Sequence, residues 1–390
     1  MSYGNADLVI AGAGFFGVTI AECAARELGL RVLIIEKRSH IGGNAHSRID
    51  PDTGDEVHVY GTHIFHTNSE EVWHYLRRFT EFTAYQHHVF TRHAGRVFPM
   101  PISLGTICEF FGRAFTPHEA RVLLAGQARE EATHEPANLE EKALSLIGRP
   151  LYEAFIRGYT AKQWQTDPRD LPAEIIARLP VRYTFDARYF TDTWQGLPEL
   201  GYFRLFELMV ANPLIRVETN TDFFAVRDHL PRVPMVYTGP IDRYFDFSRG
   251  HLGWRTLNFE RDLVETRDFQ GTAVMNYADV DDPFTRVHEF RHLHPERGEA
   301  SDRTVIFREY SRRAERDDEP YYPINTTADR QMYDRYRVLA ALEHDVIFGG
   351  RLGTYRYLDM HQAIGAALRV FSRDVVPYFK THRPIAPQPA

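Results

Sequence analysis

The sequence predicts an α/β fold in which a parallel sheet, covered by helices on both faces, is joined to an inserted helical subdomain and an antiparallel β-sheet domain. Three observations lead there. Two continuous apolar runs, residues 7–11 and 31–36, flank a helical pattern over residues 15–28 that stops at Gly29, and strands apolar on both sides belong to covered parallel sheets. Helix start signals crowd the stretch from about residue 103 to 165. Period-two alternation takes over from residue 181 to about 325. A chain of 390 residues is longer than one core usually supports. The expected division is discontinuous: residues 1–80, 195–245 and 340–390 form the first unit, 100–175 the helical subdomain with a mobile loop at about 165–178, and 81–99, 176–194 and 246–339 the antiparallel unit.

The first unit opens with Gly12-Ala13-Gly14-Phe15-Phe16-Gly17 between the first apolar run and the helix. In that setting Gly12 makes the tight turn, Gly14 lets a pyrophosphate approach the backbone, and Gly17 allows close helix–sheet packing, with helix N–H groups facing the anion. Glu36 ends the second run where an acid takes ribose hydroxyls, with Lys37 beside it. The fold is therefore Rossmann-like. Nicotinamide and flavin cofactors share this fingerprint, and two further glycine clusters favour flavin. Gly42-Gly43, Asn44 and Ala45 resemble the extended fingerprint of FAD proteins, in which a second glycine pair passes over the cofactor. Gly349-Gly350-Arg351-Leu352-Gly353 supplies another anion-facing turn, ahead of Asp359 and Met360 at a helix start. The first unit is thus expected to be an FAD-binding domain.

Within the helical subdomain, Thr116-Pro117 with Glu119 and Asn138 with Glu141 form two capping boxes, the second helix closing at Gly148. Residues 165–173, with two prolines, read as an exposed loop. Strands are expected at Val181–Phe185, Ala273–Tyr277, Arg286–Phe290 and Val305–Arg308, and a last buried one at 346–348. After Asp359 the apolar stripe of Met360, Ile364, Ala367, Leu368 and Phe371 predicts a helix, and the tail past Pro384 is expected to fray.

Composition excludes several functions. No apolar run is long enough to span a bilayer, and the N-terminus carries no basic region ahead of its first strand, so a cytoplasmic enzyme is expected. Cys23 and Cys108 form no C-x-x-C and are expected to be inert. The net charge of −7 offers no footprint for nucleic acid. Of 46 basic residues only four, Lys37, Lys142, Lys162 and Lys380, are lysine. An arginine beside a motif is correspondingly weak evidence.

Longer motifs carry a specific resemblance. Residues 158–164 (GYTAKQW), 178–183 (RLPVRY), 286–292 (RVHEFRH), 319–325 (EPYYPIN) and 349–361 (GGRLGTYRYLDMH), together with Gly61-Thr62-His63-Ile64-Phe65-His66-Thr67, closely resemble the bacterial UDP-galactopyranose mutases. The similarity runs in order along essentially the whole chain. It implies a flavoenzyme, an isomerase that interconverts UDP-galactopyranose and UDP-galactofuranose for galactofuranose and cell-wall biosynthesis. In that family N5 of reduced FAD attacks the anomeric carbon, UDP leaves, and the ring opens and recloses through a covalent sugar adduct. Such chemistry needs cations on the departing diphosphate, an aromatic grip on uracil and a firm seat for the flavin.

The resemblance implies roles residue by residue. Arg178 and Arg286 would bind and stabilise the diphosphate, since guanidinium forks match phosphate oxygens. Tyr159 would stack on uracil with Phe155 on the same helical face, and Trp164 would lie near the mobile loop. Thr160 and Asn276 would make polar contacts to the nucleotide, and Tyr189, Tyr322 and Tyr357 would line the diphosphate or sugar, Tyr322 being preferred to Tyr321 by motif spacing. His63 would contact the flavin or substrate, with catalytic consequence, while His66, His292 and His294 read as structural. H-x-x-H alone offers two ligands, so no metal is expected. Expected partners are the UDP-galactose substrate, an electron donor such as NAD(P)H, and a second copy in a homo-oligomer. Rival functions are a mutase for another nucleotide-linked hexose such as dTDP-fucopyranose, a flavin amine oxidase or dehydrogenase, and a non-catalytic relative like the Rab GDP-dissociation inhibitors.

Overall fold

A computed structural model describes residues 3–131, 135–176, 181–298, 301–316 and 318–381. Its centre is a five-stranded, wholly parallel sheet in the order Val346–Phe348, Met235–Tyr237, Leu8–Ala11, Val32–Ile35, Ile215–Glu218. The two N-terminal strands are buried along their whole length. Alternate residues serve opposite faces, as the pleat requires. Leu8, Ile10, Val32 and Ile34 join the core under the helices Phe15–Leu28 and Met360–Val370. Val9, Ala11, Leu33 and Ile35 face a second core that includes Tyr237, Tyr244 and Tyr336. The first helix ends as the glycine predicts, with Gly29 in the left-handed region at φ 65°.

A seven-stranded sheet follows the order Tyr322–Pro323, Trp254–Val264, Thr304–Arg313, Arg286–Glu289, Val274–Tyr277, Val89–His93, Arg96–Met100. It is antiparallel except where Val274–Tyr277 runs parallel to Val89–His93. Its longest pair runs in register from Arg255↔Arg313 to Val264↔Thr304. A helical unit with its own core around Phe98, Leu124, Ile147 and Tyr152 leans on one end of this sheet. The first capping box forms in full: the Glu119 N–H donates to Thr116 Oγ1 at 3.3 Å and the Thr116 N–H to the Glu119 carboxylate at 2.7 Å. At the second only the cap forms, the Glu141 N–H donating to Asn138 Oδ1 at 3.0 Å, while the Glu141 carboxylate accepts from the Ala137 N–H at 2.8 Å and not from that of Asn138. No helix among the described residues is long and apolar enough to cross a membrane.

Gly148 closes the helix that begins at Leu139, as expected: at φ 72° and ψ 170° it leaves the helical region, a second helical turn starts beyond it, and any Cβ there would stand 2.5 Å from that of Gln127. Three local expectations are corrected. Val181–Phe185 makes only an isolated bridge, Ser103↔Arg182, because the Asp186 carboxylate turns the chain by accepting from the Arg188 N–H and guanidinium. Strand Arg286–Glu289 gives way at Phe290 to a 3₁₀ turn. The 165–173 stretch is not simply exposed: Pro168 and Leu171 are buried, and Leu171 C=O accepts from the Leu139 N–H at 2.9 Å. The tail past Pro384 lies outside the described residues.

Candidate functional site

At the carboxyl ends of the parallel strands lies a cavity of about 700 Å³ floored by the glycine turn. Gly12, at φ 109°, is stitched under Thr238, whose Oγ1 would be 2.0 Å from a Cβ there. A Cβ on Gly17 would meet Gly12 O at 2.2 Å, and one on Gly43 the Gly14 Cα at 3.1 Å. Three backbone segments therefore close on one space that no side chain can fill, which fits a dinucleotide pyrophosphate. Glu36 lines this cavity and is held by two backbone donors, Ala13 N–H at 2.8 Å and Arg38 N–H at 2.9 Å. Asn44 accepts from Arg38 at 2.9 Å, while Lys37 and Arg38 converge on Glu319. His63, Arg351 and Met360 line the far end. Asp359 stands just outside, starting its helix with an N–H to Gln362 Oε1 bond of 2.9 Å.

The His63 ring is held by Gly61 C=O, 2.6 Å from Nδ1, so Nδ1 carries the proton and Nε2 offers a lone pair. Loss of water around the imidazole, with Arg351 nearby, pushes its pKa down to about 4. It is a neutral acceptor at physiological pH.

Through Arg351 the cavity lining adjoins a rim built from distant segments. Arg286 donates through Nη2 to the Tyr159 hydroxyl, its Nε lies 3.5 Å from Glu309 Oε1, and that Nε has no hydrogen-bond partner although buried. Burial opposes the charge, but Glu309 and Tyr159 outweigh it and keep the guanidinium protonated. Glu309 is fully buried where Arg286 is only partly so; burial works against its charge, but Arg286 and His288 outweigh it and hold the carboxyl below the usual carboxylate range. Its Oε2 lies 3.0 Å from His288 Nε2, and His288 Nδ1 lies 2.8 Å from Thr62 Oγ1, one residue before His63. A buried chain of polar contacts thus links the histidine loop to the arginine. Arg351 is fixed by Tyr321 C=O at 3.1 Å and Leu358 C=O at 2.8 Å, with its guanidinium 5.6 Å and 4.9 Å from the Tyr322 and Tyr357 rings. The Tyr322 phenol lies within the fields of Glu309, Arg351 and Arg286.

The structure thus gathers Tyr159, Arg286, Tyr322 and Tyr357. Tyr321 is 4% exposed, and its ring lies 6.2 Å from both the Tyr60 and the Tyr322 rings. Asn276 pairs with Arg286 in register on the neighbouring strand, and its buried Oδ1 has no partner. Thr160 is buried on the Tyr159 helix, and Trp164 ends that helix with its C=O accepting from Arg255 at 3.1 Å. Tyr189 is exposed and packs edge-on to Phe190 and His87. Phe155, four residues before Tyr159, is buried against Phe98 and Phe110, at 5.1 and 5.4 Å. It lies in a π-helical turn, Tyr152–Arg157, that leads into the helix carrying Tyr159. Arg178 lies outside the described residues.

His66 is less isolated than its motif suggests. Its Nδ1 meets Asp192 Oδ2 at 2.8 Å, and it shares a cluster with Asp359 and His361 whose ligand-type atoms lie within 4.8 Å of one another. His292 faces Asp268 and Glu289, and His294 faces Glu296 and Glu56. Cys23 is buried, with its thiol pushed up to about 12, and Cys108 is half-buried. Sequence reasoning missed Glu309, His288 and Arg38. The signal for Glu309 was present: an acid on the inward-facing phase of an alternating strand, between Phe307 and Ser311.

The model of the UDP-galactopyranose mutase family matches residues 154–357, and that of an NAD(P)-binding Rossmann-like domain matches residues 10–79. A probable UDP-galactopyranose mutase of Klebsiella pneumoniae is 43% identical over 94% of both chains. A dTDP-fucopyranose mutase of Escherichia coli is 37% identical over 93% of this chain and 96% of its own. A UDP-galactopyranose mutase of Mycoplasma genitalium is 32% identical over 92% of both. Among solved structures, a reduced UDP-galactopyranose mutase superposes with a TM-score of 0.70 at 15% identity, covering 96% of this chain and 97% of the other. Joined to the glycine-floored cavity and the arginine-bearing rim above it, these matches mean that the chain belongs to the UDP-galactopyranose mutase family.

Proposed function

We propose that this chain is an FAD-dependent UDP-galactopyranose mutase, active with the cofactor reduced, that interconverts UDP-galactopyranose and UDP-galactofuranose. The observation carrying this reading is the position of Arg351, which lines the cofactor cavity and at the same time braces Tyr322 and Tyr357 on the rim shared with Arg286. Cofactor and nucleotide sugar would meet across Arg351. Gly12, Gly14, Gly17, Glu36, Lys37, Gly43, Asn44, His63, Arg351, Asp359 and Met360 would hold FAD, whose reduced isoalloxazine supplies a nucleophilic nitrogen when bound.

The chain's own groups supply the rest. Arg286 is kept charged and oriented by Glu309 and Tyr159, with its Nε left for a diphosphate oxygen. It would stabilise UDP as the glycosidic bond breaks, an electrostatic task that a preorganised, desolvated guanidinium performs well. Arg178 would provide the second cation. Tyr159, Thr160, Trp164 and Asn276 would hold the nucleotide, with Tyr189 at the margin, and Tyr322 and Tyr357 would pack the diphosphate and sugar. Neutral His63 would accept a proton-bearing group of flavin or sugar through Nε2. The reductant would be of the NAD(P)H class and the setting cytoplasmic.

Purified protein should be yellow and should convert UDP-galactofuranose to UDP-galactopyranose only after dithionite or NAD(P)H reduction. Equal turnover with oxidised flavin would overturn the reading. The 37% identity to a dTDP-fucopyranose mutase supports a second substrate pair, and side-by-side kcat/KM values for UDP-galactofuranose and dTDP-fucofuranose decide between them.

A further inference from the structure

Lys162 is one of four lysines in the chain, and its side chain does something unusual. Its Nζ lies 2.7 Å from Tyr277 O and from Asp279 O, and 3.0 Å from Asp282 O and from Phe284 O. All four acceptors are backbone carbonyls of one loop, which joins strand Val274–Tyr277 to strand Arg286–Glu289. Four carbonyl dipoles aimed at one point repel one another unless a cation sits among them, as in sites where carbonyls replace the hydration shell of a bare ion. An ammonium suits this cage because it is compact and donates in several directions, which a planar guanidinium does not. In a chain whose cations are otherwise nearly all arginine, that is a physical reason for a lysine here. The Asp279 carboxylate is itself bound to His93 Nδ1 at 2.6 Å and to the Ala94 N–H at 2.9 Å, and Asp279 and Asp282 act on the ammonium through space.

The cage ties together both sides of the rim. Lys162 belongs to helix Gly158–Trp164, which carries Tyr159, Thr160 and Trp164. The loop it grips begins one residue after Asn276 and ends two before Arg286. The two elements touch directly, since a Cβ on Gly158 would stand 2.3 Å from Ala278 O.

We propose that Lys162 is a positioning residue whose ammonium fills a latent monovalent-cation site, formed by the carbonyls of residues 277, 279, 282 and 284, and so sets Arg286 against Tyr159. The assignment of that rim to substrate rests on the mutase reading; the cage itself does not.

Two experiments on the full-length holoenzyme test it. With lysine labelled in ¹⁵N, four side-chain ammonium groups are observable, and the protons of one, absent from Lys162→Met, should exchange with water far more slowly than those of Lys142 and Lys380. Fast exchange at all four overturns the cage. Lys162→Ala should lose roughly tenfold to hundredfold in kcat/KM in choline or lithium buffer. Potassium or ammonium chloride should restore about tenfold of this saturably and raise Tm in parallel. Lys162→Met, which fills the space without charge, should show neither recovery. Equal activity of Lys162→Ala in potassium and choline, or wild-type activity throughout, overturns the proposal. If Lys162→Ala does not fold, the exchange experiment on the natural chain decides alone. Absence of turnover in the natural chain would sink the mutase reading and leave exchange and cation-dependent Tm to judge the cage.

Discussion

The cofactor cavity and the substrate rim are built on opposite plans. The cavity floor comes from adjacent residues whose conformations are dictated locally: glycines where no Cβ fits, an acid at a strand end, a second glycine pair a few residues on. The rim draws Tyr159, Arg286, Glu309, Tyr322 and Arg351 from five separate segments, and each is held by another of the set or by backbone from elsewhere. A local site fails by steric exclusion, whereas a gathered site fails by losing orientation or charge balance while the protein stays folded and loaded.

That contrast can be broken by substitution. The largest effect is expected at the rim: Arg286→Ala should lose about 2–5 kcal/mol of transition-state stabilisation, read from kcat/KM, with flavin content unchanged. Flavin loss in that variant would erase the distinction between the two sites. In the cradle, Gly17→Ala forces a Cβ onto Gly12 O and should cost about 3 kcal/mol with loss of bound flavin, read from visible absorbance per protein and from Tm. Glu309→Gln keeps the shape but removes the charge facing Arg286, and should cost about 1–3 kcal/mol in kcat/KM, again at full flavin occupancy.

Acid should also weaken the fold. His87 is 5% exposed and burial pushes its pKa down to about 3, so the unfolded chain takes up its proton first as pH falls. Its contribution to stability is complete above the unfolded value near 6.5 and is lost between there and about 3, with a slope of about 1.4 kcal/mol per pH unit. Tm measured from pH 7 to pH 4 should fall less steeply in His87→Gln. The smallest effect separates two neighbours: Tyr322→Phe should cost about 1 kcal/mol in kcat/KM, whereas Tyr321→Phe should leave kcat/KM unchanged, because Tyr321 holds Arg351 through its main-chain carbonyl, which the substitution leaves in place.

Legibility in the chain divides along the same line. Gly12, Gly14, Gly17 and Glu36 announce themselves because their reasons are local, and the covered parallel sheet is legible because its strands are apolar on both faces. Arg286 and Tyr159 are readable through motif resemblance, but their contact is a tertiary fact. Glu309 and the carbonyl cage of Lys162 escape a sequence reading because burial and convergence arise only when the strands are assembled. Val181–Phe185 alternates like a strand, yet Asp186 and Arg188 bend it away.

The stitching of Gly12 under Thr238, and of Gly349 against Phe16, has a consequence for biosynthesis. The glycine turn emerges from the ribosome among the first twenty residues, but its lid arrives more than two hundred residues later and its far wall after residue 350. Because the first strand pairs with Met235–Tyr237 on one side, the nascent N-terminal unit cannot complete its own sheet. Cofactor capture must therefore await synthesis through about residue 363, and a bound dinucleotide would certify that these distant segments have been made and correctly threaded.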